Sequence, residues 1–183
     1  MQKKGCMIAC LLALLLCLFP RTANAVEAYT VENLDITIQV QEDGKLLVFE
    51  EYDLNFNYYR SSFTRNITST YHIPVTSTQG IVYRDYYFPV RDIQGDRLLS
   101  VERNEDGSIV TMGEEGTQLT GRQKFSISYT VQTSDLQMPD QSQMLYWTLV
   151  TNLDTRVNHL HYEIEMPKAF DPQEVYTNTG KYG

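Results

Sequence analysis

Cysteine is nearly missing from this sequence, and its position limits what it can do. The chain has only three cysteines, Cys6, Cys10 and Cys17, and all of them lie in the first 25 residues. Residues 26–183 therefore contain no thiol, which excludes a disulfide, a cysteine nucleophile and a cysteine-bound metal from that part of the chain. A domain formed by these residues depends on its hydrophobic core for stability.

Basic residues are also scarce. Residues 1–25 contain three of the 15 lysines and arginines and none of the 23 acidic residues, so residues 26–183 have 12 basic and 23 acidic residues and a net charge of −11. A surface with this charge repels nucleic acid and anionic lipid, and it favours solubility. We therefore predict that the protein has no nucleic-acid partner.

Helix formers and catalytic motifs are missing as well. After residue 25, alanine occurs only at positions 28 and 169, and no run of ten residues shows helical periodicity. The sequence contains no G-x-S-x-G, HExxH or P-loop motif. Glu50 and Glu51 are adjacent, so on a strand they point to opposite faces and cannot act together as an acid and a base. These absences favour an all-β protein without catalytic activity or a cofactor.

The first 25 residues have the pattern of a secretory signal peptide. Two lysines precede an apolar segment, residues 7–19, and Ala23-Asn24-Ala25 forms a small-residue cleavage site. The alternative is an uncleaved membrane anchor, but the apolar segment is shorter than the roughly 20 residues that span a bilayer. We predict a signal peptide at 1–25 and one extracytoplasmic domain at 26–183, exported to the cell surface or the extracellular face of the membrane.

Alternating apolar residues predict strands throughout the domain. Leu34–Phe56 is typical of a β-hairpin that turns at Asp43-Gly44, because glycine adopts the positive φ that tight turns require. Asn57–Gly80 is polar and is predicted to be a long connection. Further strands are predicted around Tyr71–Val75 and at Ile81–Val90, Leu98–Arg103, Ser108–Met112, Lys124–Gln132, Met144–Val150 and Val157–Met166. This pattern favours an antiparallel, immunoglobulin-like β-sandwich, with a barrel as the alternative.

The last predicted strand carries a candidate metal site. His159, His161 and Glu163 fall on one face, and two histidines at i and i+2 can share a zinc ion with a carboxylate as third ligand. The alternative is that these residues form the solvent face of an amphipathic strand. The opposite face is apolar and is predicted to point inward; it consists of Leu160, Tyr162, Ile164 and Met166.

Clustered aromatic residues suggest a binding surface. Tyr86, Tyr87, Tyr146 and Trp147 could form a platform on which a sugar or a protein partner stacks. The alternative is that they fill the core and its rims, where aromatic residues are common. Several tyrosines exposed together on one sheet face would distinguish the two interpretations.

Several short patterns occur in an order that resembles a known family. The first is Asp43-Gly44-Lys45 followed by the alternating residues Val48, Glu50, Tyr52, Leu54 and Phe56. The later ones are Ile109–Gly113, Leu119-Thr120-Gly121, the row from Phe125 to Val131, Leu145-Tyr146-Trp147, and Val157 to Pro167. Together they resemble the N-terminal extracytoplasmic domain of the DUF2207 family of bacterial predicted membrane proteins. The chain departs from that pattern at Ser62–Ile67, which lacks a glycine, and at Thr148, which replaces an asparagine.

The resemblance implies a location and a fold rather than a reaction. It implies a β-sandwich outside the membrane, followed by transmembrane helices and a low-complexity tail. Such helices are missing from the 183 residues, so we expect either a truncated or a secreted member. In the first case, membrane attachment would occur through a region absent from this chain.

Glu50 is the least expected residue of the predicted hairpin. It shares the apolar face with Val48 and Tyr52, and a buried carboxylate is very unfavourable without a partner. The resemblance aligns Arg65 with an arginine of the family pattern. We therefore predict a buried ion pair between Glu50 and Arg65 that ties the long connection to the second strand.

These observations lead to one main hypothesis and two alternatives. The main hypothesis is a non-catalytic interaction or sensing module of a cell-envelope membrane protein, whose partner is an unidentified protein or glycan of the envelope. The first alternative is a domain that binds or processes carbohydrate with its tyrosine clusters. The second is a structural spacer.

Overall fold

A computed structural model describes residues 27–77, 80–133, 145–151, 153 and 155–177. The predicted signal peptide lies outside these residues. Within them the chain forms ten strands and one short 3-10 helix, Pro172–Glu174. The strands are β1 (Tyr29–Val40), β2 (Lys45–Arg60), β3 (Ser62–Thr68), β4 (Thr70–Ser77), β5 (Gly80–Tyr87), β6 (Val90–Gly95), β7 (Leu98–Arg103), β8 (Gly107–Gly113), β9 (Leu119–Gln132) and β10 (Val157–Glu165).

The strands form three sheets. The largest has the order β10-β1-β2-β9-β6, the second has the order β3-β8-β7, and β4 and β5 form a two-stranded ribbon. No α-helix occurs in the described ranges, so the all-β prediction is confirmed for that part of the chain. Within the same ranges, no helix is long and apolar enough to span a membrane.

The purely antiparallel arrangement predicted from the sequence is wrong for one pair of strands. β10 runs parallel to β1, with Val31 opposite Val157 and Gln39 opposite Glu165. All other paired strands are antiparallel. The chain reaches β10 from β9 through a long connection rather than a hairpin, and a parallel neighbour requires a connection of this kind.

The predicted hairpin is present at the centre of the large sheet. β1 pairs with β2, with Ile38 opposite Val48, and Gly44 has a φ of 77° in the turn. Alternation along both strands places the apolar residues on one face, where they are removed from water. The buried members of this face are Leu34, Ile36, Ile38, Leu46, Val48, Tyr52, Leu54 and Phe56.

Aromatic residues join the two larger sheets through the core. The ring of Phe63 on β3 lies 5.0 Å from the ring of Tyr52 and 5.6 Å from that of Phe125, centroid to centroid. Such tilted aromatic pairs add to the stabilisation that comes from area burial. Val110 and Met112 on β8 are fully buried in the same core.

Part of the predicted connection Asn57–Gly80 forms a strand, β3, that the sequence pattern did not indicate. β3 occupies Ser62–Thr68 and pairs with β8 along its whole length. Its inward positions are Phe63, Arg65 and Ile67, all buried. Arginine at the middle position interrupts the apolar alternation, so the segment looks polar although it lies in the core.

The predicted strand Met144–Val150 is wrong for the part that the structure describes. Residues 145–148 have no regular secondary structure and residues 149–150 form a bend. The segment nevertheless packs against the core through Leu145, Tyr146 and Trp147. Its apolar composition therefore reflects burial rather than a position inside a sheet.

The burial predicted for the apolar residues of the last strand is also wrong, although they lie on the core side of the large sheet. Leu160 is 42% exposed, Tyr162 40% and Ile164 37%. They stand beside Leu34, Ile36 and Ile38 of β1, which are buried. The layer that packs on the core face of the large sheet therefore covers β1 but leaves β10 partly exposed to water.

Candidate functional site

Glu50 and Arg65 meet in the core between the two larger sheets. Glu50 lies on β2 and is 1% exposed, and Arg65 lies on β3 and is 2% exposed. Nε of Arg65 is 2.8 Å from Oε2 of Glu50, and Nη2 is 2.9 Å from Oε1. This bidentate geometry is the strongest arrangement of the two groups. The structure thus brings the predicted partners together, but the pair links two sheets rather than a loop and a strand.

Two tyrosines complete the shell around the carboxylate. Tyr129 on β9 donates a hydrogen bond from its hydroxyl to Oε1 of Glu50 at 2.7 Å. Tyr52 on β2 donates to Oε2. Each carboxylate oxygen therefore accepts two hydrogen bonds, which matches its two lone pairs. The carboxylate has no acceptor capacity left for another group.

The other side of the Arg65 guanidinium holds the irregular segment 145–151. Nη1 donates to the carbonyl of Thr151 at 2.8 Å and to that of Asn66 at 2.6 Å. Nη2 donates to the carbonyl of Leu149 at 3.3 Å. All five N–H groups of arginine therefore have an acceptor. One side chain joins β2, β3 and segment 145–151.

The ionisation of the network follows from these contacts. Burial opposes a charge on Glu50 and is the largest influence, but the charge of Arg65 and three sets of hydrogen bonds together lower the pKa of Glu50. Burial likewise opposes a charge on Arg65, and the adjacent carboxylate outweighs it and raises the pKa of Arg65. Burial and the negative charge of Glu50 raise the pKa values of Tyr52 and Tyr129. The pair is therefore charged and both tyrosines are protonated at neutral pH.

This arrangement suits a structural role rather than proton transfer. A general base works best when its pKa lies near the operating pH and when its oxygen can reach the substrate. Glu50 has a lowered pKa, four hydrogen bonds and almost no exposed surface. Two surface clefts adjoin Lys45 at the end of the large sheet, and Glu50 lines neither of them.

Sequence analysis did not identify Tyr129, Leu149 and Thr151 as part of the network. For Tyr129 a signal existed, because a tyrosine on an inward face usually needs a partner for its hydroxyl, and the inward carboxylate of Glu50 is an acceptor. The structure places the two residues diagonally across the β2–β9 pair. For Leu149 and Thr151 the contacting atoms include backbone carbonyls. A carbonyl carries no residue-specific signal, so this contact could not be inferred from the sequence.

The candidate metal ligands lie on the outer face of β10. His161 is 3.5 Å from Asp35 on β1, measured from Nδ1 to Oδ1, and Glu163 stands beside Thr37 instead. In the described part of the chain, no three histidine, cysteine or acidic side chains come close enough to hold a metal ion. The structure therefore does not bring His159, His161 and Glu163 together as one ligand set.

The four aromatic candidates are not on one surface. Tyr146 and Trp147 are partly buried, with ring centroids 6.0 and 5.6 Å from that of Tyr71. Tyr86 is partly buried and stacks on Phe88. Tyr87 alone of the four is exposed, at 63%. Exposed aromatic residues lie instead on β5. Tyr87 shares one face of this strand with Tyr83 and Ile81, which are both 69% exposed.

Parts of some solved structures are similar to this chain. An M1 zinc metallopeptidase from Deinococcus radiodurans is 13% identical over 63% of this chain and 23% of its own, with a TM-score of 0.36. Leukotriene A4 hydrolase from Saccharomyces cerevisiae is 13% identical over 64% of this chain and 18% of its own, with a TM-score of 0.34. The chain therefore spans less than a quarter of the length of either enzyme. Similarity at this level carries no argument about activity.

A comparison with curated protein sequences gives no match. In contrast, the family described as "Predicted membrane protein (DUF2207) N-terminal domain" matches residues 30–183. Apart from Tyr29, the match includes all ten strands, and it includes every member of the Glu50–Arg65 network. The chain therefore belongs to the DUF2207 family of predicted membrane proteins and contains its N-terminal domain.

Proposed function

We propose that residues 26–183 form a non-catalytic extracytoplasmic domain of a cell-envelope membrane protein, acting as an interaction or sensing module. The observation that carries this proposal is the state of its buried charges. The Glu50 carboxylate and the Arg65 guanidinium use all of their hydrogen-bonding capacity within the protein. These buried charged groups thus hold segments of the protein together, and recognition of a partner takes place at the surface.

We further propose that the two larger sheets form a β-sandwich of the immunoglobulin-like type. Support comes from contacts that run between the sheets. The Glu50–Arg65 pair and the Phe63 ring both connect β3 to the large sheet. Two sheets that share one buried core in this way have the layer architecture of a sandwich.

The extracytoplasmic location is supported by the sequence. Residues 1–25 have the basic start, the apolar segment and the small-residue cleavage site of a secretory signal. Family membership supports association with a membrane protein. The partner in this setting is a protein or a glycan of the cell envelope.

A reporter fusion tests the location. Alkaline phosphatase requires disulfides and is active only outside the reducing cytoplasm. Fused after residue 183, it should be active in cells that express the whole chain. The same fusion without residues 1–25 is the matched control and should be inactive. Equal activity of the two fusions would contradict export through this segment.

A carbohydrate-binding domain is the second candidate, and the exposed face of β5 favours it. Tyr83 and Tyr87 stand on the same face of the ribbon with most of their surface in water. Pairs of exposed aromatic rings can stack on sugar rings. Calorimetric titration with peptidoglycan fragments and neutral oligosaccharides tests this candidate. Binding should be lost in Tyr83→Ala and Tyr87→Ala and kept in Tyr59→Ala, which changes an exposed tyrosine on β2.

A further inference from the structure

One edge of β10 has no neighbouring strand among the described residues, so another strand can pair with it there. β10 is the outermost strand of the large sheet, and no strand in the described part of the chain pairs with its other edge. Its nine residues, Val157–Glu165, include no proline and no lysine. Proline, lysine and bulges are the usual means by which proteins block pairing at an exposed edge. β10 contains neither proline nor lysine.

The opposite edge of the same sheet, formed by β6, is protected against pairing with another strand, unlike the edge formed by β10. β6 has only six residues and follows Pro89 directly. Its register with β9 is broken between Arg91 and Gln94, and Asp92 there has a φ of 51°. A short strand with a bulge cannot easily accept a neighbour. Within the described ranges, the β10 edge is therefore the one that is left unprotected against pairing.

The two faces of β10 have different chemistry. The core-side face carries Leu160, Tyr162 and Ile164, each between 37% and 42% exposed. The outer face carries the histidines first and the carboxylates afterwards, in the order His159, His161, Glu163 and Glu165. This order makes the strand complementary to a reversed copy of itself.

In an antiparallel pair of β10 strands with Tyr162 opposite Tyr162, the facing residues are complementary on both faces of the strand. On the outer face, His161 then stands opposite Glu163 of the second copy, and His159 stands opposite Glu165. On the core-side face, Leu160 stands opposite Ile164. A histidine can donate a hydrogen bond to a facing carboxylate, and apolar pairs at directly facing positions stabilise antiparallel strands. This register also produces no pair of like charges on β10.

We propose that the edge of β10 binds a second copy of this chain, so that two large sheets join into one continuous sheet about a twofold axis at Tyr162. The twofold axis is perpendicular to the sheet and keeps the core-side faces on the same side. A single strand pair buries less surface than a standard interface, so we expect a weak dimer, with a dissociation constant of roughly micromolar or above. Failure of this proposal would leave the proposed function intact, because neither export nor recognition through β5 requires a dimer.

Single-cysteine cross-linking tests the register. In a background with Cys6, Cys10 and Cys17 changed to Ser, the Tyr162→Cys variant has one thiol at the twofold axis. Facing residues of antiparallel strands have Cα atoms about 4.5–5.5 Å apart, within the range of a disulfide. Mild oxidation at about 100 µM protein should therefore yield a covalent dimer within minutes.

Leu160→Cys in the same background is the matched control. In the proposed register its two copies are offset by four residues, or about 13 Å, which is too far for a disulfide. Both changes are at exposed positions of the same strand, so both variants should fold. Equal cross-linking of the two variants, or none for Tyr162→Cys, would overturn the proposal.

A charge exchange tests the same register without covalent chemistry. The His159→Glu/His161→Glu variant and the Glu163→Lys/Glu165→Lys variant should each lose the dimer in analytical ultracentrifugation. An equimolar mixture should recover it, because each new glutamate then stands opposite a new lysine. A mixture that stays monomeric while the unchanged chain dimerises would contradict the register.

Discussion

At the scale of single residues, the most informative feature is a carboxylate that the core fully accommodates. Removing a charge from water is costly, and the cost is offset only by good geometry and complete hydrogen bonding. Glu50 has both, because Arg65 contacts it through two nitrogens and Tyr52 and Tyr129 supply the remaining donors. The same completeness makes the network sensitive to the loss of any one member.

Glu50→Gln should destabilise the protein by about 3–5 kcal/mol, since it leaves the Arg65 charge buried without a counter-ion. The free energy of unfolding from denaturant titration at pH 7 measures this loss. Glu51→Gln is the matched control, because Glu51 is the adjacent residue on the exposed face and its change should cost less than about 0.5 kcal/mol. If Glu50→Gln keeps full stability yet abolishes binding of a partner, the structural interpretation is wrong.

Combining Glu50→Gln with Arg65→Gln should cost less than the sum of the two single changes. Each single change leaves one buried charge uncompensated, whereas the double change leaves none. The double-mutant cycle uses the same denaturant titrations. Strict additivity of the two losses would show that the groups do not act as a pair.

At the scale of elements, Arg65 explains how a segment without regular structure keeps its place. Segment 145–151 has no sheet neighbour among the described residues, but the carbonyls of Leu149 and Thr151 accept hydrogen bonds from the guanidinium. Buried carbonyls need such partners when no strand provides them. Arg65 thus supplies this segment with the hydrogen-bond donors that an adjacent strand would otherwise provide.

Arg65→Lys should release segment 145–151 while keeping a positive charge near Glu50. A lysine ammonium is a single point of charge and cannot reach the carboxylate and both carbonyls together. Trp147 is the only tryptophan of the chain and packs against Tyr71, so its fluorescence reports on this segment. The emission should shift to longer wavelength in Arg65→Lys. It should stay unchanged in Arg84→Lys, which alters an exposed arginine on β5.

The strands show what alternation can and cannot reveal. The β1–β2 hairpin and its inward Glu50 were predictable because side chains on a strand repeat every two residues. β3 was hidden because Arg65 occupies one of its core positions. The row Leu160, Tyr162 and Ile164 was assigned to the wrong environment, since a pattern shows that a face is apolar but not whether another layer covers it. The contact between Arg65 and residues 149–151 depends on tertiary structure alone.

At the scale of the whole molecule, the network makes stability depend on pH in the acid range. The pKa of Glu50 is lowered in the folded protein relative to an ordinary glutamate, which titrates near about 4.3 when unfolded. Its contribution is therefore fully present above that value and is lost as the pH falls through the folded pKa. The difference in unfolding free energy between the unchanged protein and Glu50→Gln should shrink as the pH is lowered from 7 to about 3. A difference that stays constant would contradict a charged Glu50.

The alkaline range provides an independent test through the buried tyrosines. Burial is the largest cause that raises the pKa values of Tyr52, Tyr71 and Tyr129, while unfolded tyrosines titrate near about 10. Above that pH the unfolded chain loses protons that the folded protein keeps, so stability falls by about 1.4 kcal/mol per pH unit for each of these tyrosines. Denaturant titrations between about pH 9 and pH 11 measure this slope.

Tyr129→Phe should make the alkaline slope shallower by about 1.4 kcal/mol per pH unit, since one of the buried tyrosines no longer titrates. It should also lower stability at neutral pH by about 1.5–3 kcal/mol, because Glu50 loses a hydrogen bond to its charged oxygen. Tyr59→Phe is the control for the slope, as Tyr59 is 70% exposed and stays in water when the protein unfolds. Repulsion among the excess negative charges affects all three proteins alike, so it cancels when their slopes are compared. An unchanged slope in Tyr129→Phe would mean that Tyr129 is accessible to water, and the closed network around Glu50 would then be wrong.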